Sequence, residues 1–341
     1  VRSAIRWASP STTALPRSAR HGNQYVTIAR GAHLPTELLA SVPTPWERRR
    51  LVDIARIVVV QTHLSPDVLF CRESAALLRG IPLLDHAPDV HALTTGRQDR
   101  MRAGLPAIRF DGRALSPAVR VRLHHSADEG GPPSSMEGVP MCSPQTMLAD
   151  LARFCPAREA VASLSVGLHL GTRFDRRQSE RSREAEASAK ERLAKRIATG
   201  TDRRGRARGV EILRVADAGC ESIAEGALVW FLHAYGAKPW RTQHEVVVDG
   251  QSLFPDVVFP EVGVILEVEG FGKLGTTAFE VRHNAQQQMS RGSRLEAAGW
   301  RVIHLPATLV LGPPDELFTH LWAVAPEIFD PGTRGSPLFK A

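Results

Sequence analysis

The chain has 341 residues, 43% of them hydrophobic, with 43 Lys/Arg against 36 Asp/Glu for a formal charge of +7 and a pI near 9.7. That length exceeds one small domain and suits two, each able to build a core; the basic balance favours a polyanionic partner, nucleic acid before an anionic membrane surface. No apolar run reaches the length of a membrane span, and the four scattered cysteines, with no C-x-x-C pair, exclude a zinc ribbon and a disulfide framework. Cys71, Cys142, Cys155 and Cys220 are expected as small buried thiols in a reducing cytoplasm.

Residues 1–24 are rich in Ser, Thr, Pro and Arg and lack the apolar stretch of a secretory signal, so a disordered leader is expected there. Residues 25–171 read as mixed α/β. Apolar spacing predicts a helix over Trp46 to Thr62, and Ser74 to Leu78 continue as a second helix closed by Gly80 and Pro82. Val90 to Thr95, Ile108 to Asp111 and Gly138 to Met141 read as short strands. Ser143-Pro144 then caps a helix through Phe154, and the small-residue run Ala157 to Leu170 suits a closely packed helix.

Residues 172–214 carry fourteen Lys/Arg against seven Asp/Glu, an excess equal to that of the whole chain. Clustered cations release counterions from a phosphate backbone; a solvated helical linker with i,i+4 pairs such as Glu186–Lys190 and Glu191–Lys195 is the competing and compatible reading. Within it, Arg203, Arg204, Arg206 and Arg208 are the cations least offset by acids and the candidates for phosphate contact.

Residues 215–327 show a clearer order. Ser222 to Tyr235 reads as an amphipathic helix, Thr242 to Val248 as a strand, and Asp249-Gly250 as a hairpin turn. Leu253 to Phe259 and Val264 to Glu269 are further strands, Thr277 to Ala298 a helix, and Trp300 to Leu305 a closing strand. Pro313 to Val324 is a packing helix, and 328–341 a tail. The fold class is therefore α/β (α+β), a mixed α/β domain followed by an αβββαβ core.

The chemistry gathers on the last of these. Pairing of the strands after Asp256 and before Gly270 would set Asp256 beside the end of the strand that carries Glu267 and Glu269. Those two glutamates share a face of the strand, roughly 6–7 Å apart. Carboxylates gathered at a buried strand end repel one another and are costly to desolvate. A divalent cation with oxygen preference relieves that repulsion, and Mg²⁺ is the candidate, with Mn²⁺ as substitute.

The segment from Ser222 to His304 resembles the endonuclease-like domain DUF559, related to very-short-patch-repair endonucleases of the PD-(D/E)XK superfamily. The resemblance rests on Ser222-Ile223-Ala224-Glu225, on Gln243, and on Asp256 after Pro255. It continues with Glu267-Val268-Glu269-Gly270, Lys273 and Leu295 to Val302. It implies a restriction-endonuclease-like core and Mg²⁺-dependent hydrolysis of DNA, with Asp256 and Glu267 on the metal. Glu225 would complete the shell or orient water, Lys273 would neutralise phosphorane charge, and Gln243, Arg291 and Arg294 would contact nucleic acid. Glu269 stands where the family pattern has Asp, and the following helix keeps Arg291 and Arg294 but not the usual acids.

The first half resembles the C-terminal region of AbiEi-type antitoxins of type IV toxin–antitoxin systems, over Ser74 to Pro82, Val90 to Thr94, and Gly138 to Ala152. No Arg precedes Thr146 as the common form of that motif has it, and residues 1–24 are too short for the winged helix that usually comes first. The two resemblances imply a nuclease in a defence context, or a non-catalytic DNA-binding regulator on a degenerate nuclease fold, with a cognate toxin as further partner. Oligomeric state is not legible in the sequence.

Overall fold

The computed structural model describes residues 1–7, 24–64, 68–84, 87–94, 104–125, 133–270 and 291–330. They divide into two compact units, Val1–Leu151 with Ala198–Arg204, and Ala152–Ile197 with Gly205–Ala341. Both mix helices with sheets, the α/β (α+β) class expected.

The first unit begins with strand β1 (Arg6–Trp7), followed by β2 (Tyr25–Ala29) and β3 (Ala32–Pro35) in a sheet ordered β1-β3-β2. Ile5 is buried and Arg6 pairs with His33, so this part of the expected leader is held in a sheet. Two helices follow, α1 (Thr36–Ala40) and α2 (Pro45–Gln61). A capping box starts α2: the Thr44 hydroxyl accepts from the Glu47 N–H, and the Glu47 carboxylate accepts from the Thr44 N–H. Then come β4 (Leu69–Phe70), α3 (Arg72–Leu78), β5 (Val90–Thr94), β6 (Gly104–Leu105), β7 (Ile108–Phe110), β8 (Arg113–Ser116), β9 (Val119–His125), β10 (Ser134–Met136), β11 (Val139–Met141) and α4 (Pro144–Phe154). The main sheet has the order β10-β11-β4-β5-β9-β6, with β11–β4 and β5–β9 parallel. Arg56 of α2 is fully buried and donates to Asp53, Ser116 and the carbonyls of Pro106 and Pro117. A guanidinium this deep is tolerable because Asp53 matches its charge and both terminal nitrogens are bonded, although Nε has no partner among the described residues.

The second unit holds α5 (Ala157–Thr172), α6 (Ser179–Thr199), α7 (Arg206–Val215) and α8 (Ile223–Ala234). Then follow β12 (Arg241–Thr242), β13 (Val246–Val248), β14 (Gln251–Leu253), β15 (Val257–Phe259), β16 (Val264–Glu269), helical residues 291–297 as α9, β17 (Arg301–Pro306), α10 (Ala307–Leu311) and α11 (Pro314–Val324). Helix α8 is apolar nearly all round and has ten buried residues, so it runs through the core rather than along the surface. It packs on α5, where Gly226 lies against the Ala162 backbone. The segment expected as a basic linker forms α6 and α7, and both supply buried apolar side chains, Leu193, Ile197, Ile212 and Leu213.

Two expected strands are each split. Thr242 to Val248 breaks after Thr242, where Gln243 takes φ +47°, and Leu253 to Phe259 breaks at Pro255, which has no N–H to donate to a ladder. The result is a four-stranded sheet, β12-β15-β16-β17, with a separate hairpin β13–β14 turning at Asp249-Gly250. Strand β16 runs antiparallel to β15 and parallel to β17.

Candidate active site

The β15–β16 register pairs Val257 with Leu266 and Val258 with Ile265. Carried one residue further, it sets Asp256 opposite Glu267. Side chains alternate along strands, so Asp256 shares a face with Val258, and Glu267 and Glu269 share that face with Ile265. In β17, Val302 is registered to Ile265 and His304 to Glu267. One end of this face is thus a cluster of Val258 and Ile265 with Leu295 of α9, Val302 and Trp300 packed on it. The other end is Asp256, Glu267, Glu269 and His304. Burial of the apolar end fixes the sheet, and the sheet places the carboxylates.

Asp256 is 5% exposed, and its Oδ2 accepts the Val268 N–H at 2.8 Å across the strand pair. The Glu267 side chain is 14% exposed, and Arg291 of α9 donates to its Oε1 at 2.9 Å. The same guanidinium nitrogen donates to the Phe254 carbonyl, while Arg291 Nε is buried with no hydrogen-bond partner among the described residues. Arg291, expected as a nucleic-acid contact, is therefore a counter-charge to the carboxylates. Glu269, half-exposed, has its Oε1 3.0 Å from His304 Nδ1.

His304 is the site residue that sequence reasoning missed. Its alternation with Val302 was the available signal, and the parallel pairing that brings it beside Glu267 was not. Gly292 of α9 is buried beside His304, where a Cβ would meet Nε2 at 3.4 Å, an ordinary contact distance.

Glu225 sits at the first turn of α8. Its Oε1 accepts from the Ser222 hydroxyl at 2.9 Å and its Oε2 from the Glu221 N–H at 2.8 Å, while Ser222 Oγ accepts the Glu225 N–H. Both oxygens are thus taken by the N-cap hydroxyl and by the N–H one residue before the cap, so the geometry gives Glu225 a helix-starting role. Gln243 is 3% exposed; its N–H is shared between the carbonyls of Pro255, at 3.1 Å, and Asp256, at 3.4 Å. Its Oε1 accepts from Arg176, which also pairs with Glu221. Gln243 therefore positions the chain at Asp256 from inside the unit. Lys273 lies outside the described residues.

Among the four arginines read as phosphate contacts, Arg203 and Arg204 are exposed, and Arg204 forms a forked pair with Asp202. Arg206 opens α7, half-buried. Arg208 is turned inward and donates to the carbonyls of Arg153 and Cys155, which ties α7 to the chain before α5. Arg294 reaches Gln251 of the hairpin. All four cysteines are buried with free thiols, and burial pushes the Cys71 and Cys220 thiols up.

The donor set suits a hard cation in kind: two carboxylates on neighbouring strands, with no thiolate or imidazole between them, as Mg²⁺ sites that retain water require. Among the described residues, no group of three or more His, Cys, Asp or Glu could enclose a metal. Any cation here would thus be held by the Asp256–Glu267 pair. No helix among the described residues is long and apolar enough to cross a membrane. Comparison of the chain with family models, with curated proteins and with solved structures finds no match.

Proposed function

We propose that the second unit is a Mg²⁺-dependent DNA endonuclease of DUF559 type, working in a reducing cytoplasm. The observation that carries this reading is the placement of Asp256 opposite Glu267 at the polar end of an otherwise apolar sheet face. Mg²⁺, or Mn²⁺ in its place, would be held by these two carboxylates and would polarise a phosphoryl oxygen and lower the pKa of an attacking water. The chain's own residues do the rest. The Val268 N–H orients Asp256. Arg291 offsets the negative charge of Glu267. Glu225, bonded to the Ser222 hydroxyl and the Glu221 N–H, fixes the start of α8, and Gln243 fixes the chain entering Asp256. Arg203 and Arg204, exposed on the first unit, are the candidate cations for a nucleic-acid backbone there.

The test is cleavage of supercoiled, mismatched and branched DNA with and without Mg²⁺. Scission that needs Mg²⁺ and disappears in Asp256→Ala supports the reading; equal scission by wild type and Asp256→Ala refutes it.

A second reading is favoured by one observation: both Glu225 oxygens and one Glu267 oxygen are already engaged by protein donors. It makes the protein a non-catalytic DNA-binding regulator of antitoxin type, with a cognate toxin as further partner. It predicts salt-sensitive DNA binding, retained in Asp256→Ala and Glu267→Ala, with no strand scission.

A further inference from the structure

Away from the carboxylates, the second unit contains a cleft of about 400 Å³ between α6, the end of α7, α8 and Trp240. That volume lies at the lower end of the range of about 300–1,000 Å³ found for small-molecule sites, room for one ring system with an attached group. Its floor is acidic but already satisfied. Glu186, 4% exposed, accepts from Arg183, Lys190 and the Ala218 N–H. Asp217 Oδ1 accepts from Arg183, Thr242 Oγ1 and the Gly219 N–H. A cationic ligand would find both carboxylates matched by protein donors.

The rim is different in character. Lys190 spends one contact on Glu186, at 2.8 Å, and an ammonium has three donors. The Arg214 side chain is 62% exposed and faces His233; its Nε and one terminal nitrogen form a forked i,i+3 pair with Glu211, which leaves the other terminal nitrogen as a donor for a ligand. Burial and the neighbouring Arg214 hold the His233 imidazole below its usual range, which leaves it neutral near pH 7. Trp240, Val215 and Ala187 form the apolar wall. A cleft lined by both spare cationic donors and an indole suits an acceptor-rich group joined to a planar ring.

We propose that this cleft binds a phosphorylated planar ligand of mononucleotide size, its phosphate on Lys190 and Arg214 and its ring against Trp240. Two sources share that chemistry, a free nucleotide and the 5′-phosphorylated end of a strand. The site does not depend on the nuclease reading, because none of its lining residues belongs to the carboxylate cluster.

The experiment is titration calorimetry on the full chain with AMP, GMP, CMP and UMP, inorganic phosphate, adenosine, and a 5′-phosphorylated tetranucleotide with its dephosphorylated form. At least one mononucleotide, or the phosphorylated tetranucleotide, is expected to bind more tightly than phosphate or adenosine. Whichever of the two binds more tightly identifies the source. Lys190→Gln and Arg214→Gln should each weaken binding about tenfold, and Trp240→Leu should erase the preference over inorganic phosphate. Unchanged thermal melts in the two cation variants would show that folding is not the cause. Absence of heat with every phosphorylated probe, or equal affinity in wild type and both cation variants, overturns the proposal.

Discussion

Replacing Gly226 by Ala should destabilise the second unit, although Ala is the better helix former by about 1 kcal/mol. Gly226 lies in the second half-turn of α8, where a Cβ would stand 2.7 Å from Ala162 Cα and 2.8 Å from Ala162 O. Both are backbone atoms of α5, so no rotamer change relieves the contact and the two helices must move apart. Forcing a methyl into a packed interface costs about 1–3 kcal/mol, and opening a gap of even half an ångström forfeits a quarter or more of each dispersion contact around it. With both backbone contacts under 3.0 Å the packing loss exceeds the propensity gain, and the net destabilisation is up to about 2 kcal/mol. For a unit of this size that lowers Tm by about 2–4 °C per kcal/mol. Gly171, near the end of α5, is the internal control, since a Cβ there meets nothing within 4 Å. Gly171→Ala should raise stability by about 0.4–1 kcal/mol. Urea melts of both variants read the two signs directly. The close-approach reasoning fails if Gly226→Ala unfolds at or above the wild-type midpoint. Ala162→Gly should not rescue it, because the clash is with main chain.

Three further outcomes follow from the same contacts. Arg291→Ala removes the counter-charge from Glu267, so 10 mM Mg²⁺ should stabilise this variant more than wild type, by about 1 kcal/mol if its Kd is near 1 mM; equal shifts in thermal melts would show that Arg291 does not compete with a cation. Arg208→Ala strips the donors from the Arg153 and Cys155 carbonyls and should cost about 1–3 kcal/mol, whereas Arg203→Ala, exposed, should stay within about 0.5 kcal/mol and lower only the salt slope of DNA binding. In the first unit, burial lowers the His91 pKa and, with Arg72 nearby, holds His124 down to about 3 from an ordinary value of 6.5. The unfolded chain therefore binds more protons below that value. Stability from both groups is complete well above pH 6.5 and is lost as pH falls below it, for His124 down to about pH 3, by at most about 1.4 kcal/mol per pH unit for each group. Urea melts between pH 7.5 and 4 should show a shallower loss in His124→Gln than in wild type, and parallel curves would contradict the assignment.

What the amino-acid order determined by itself was local. Alternation and a short turn after Phe259 were enough to place Asp256 beside Glu267, because an antiparallel pair separated by so few residues has little freedom of register. Ser222 three residues before Glu225 announced the start of α8, Asp249-Gly250 the hairpin, and the four isolated cysteines their burial. The rest needed tertiary contact. Strand composition could not show that Gln243 would turn left-handed to put its N–H on the Pro255 carbonyl. Charge counting could not separate Arg203, in solvent, from Arg208, whose partners lie more than fifty residues away. Arg291 looked like any cation on a helix until α9 folded over the sheet and set it on Glu267. His304 entered the site only through parallel pairing with a strand that a whole helix separates from it in sequence. A side chain's type is written in the chain, but which charge it neutralises depends on distant backbone, and that is decided only when the core closes.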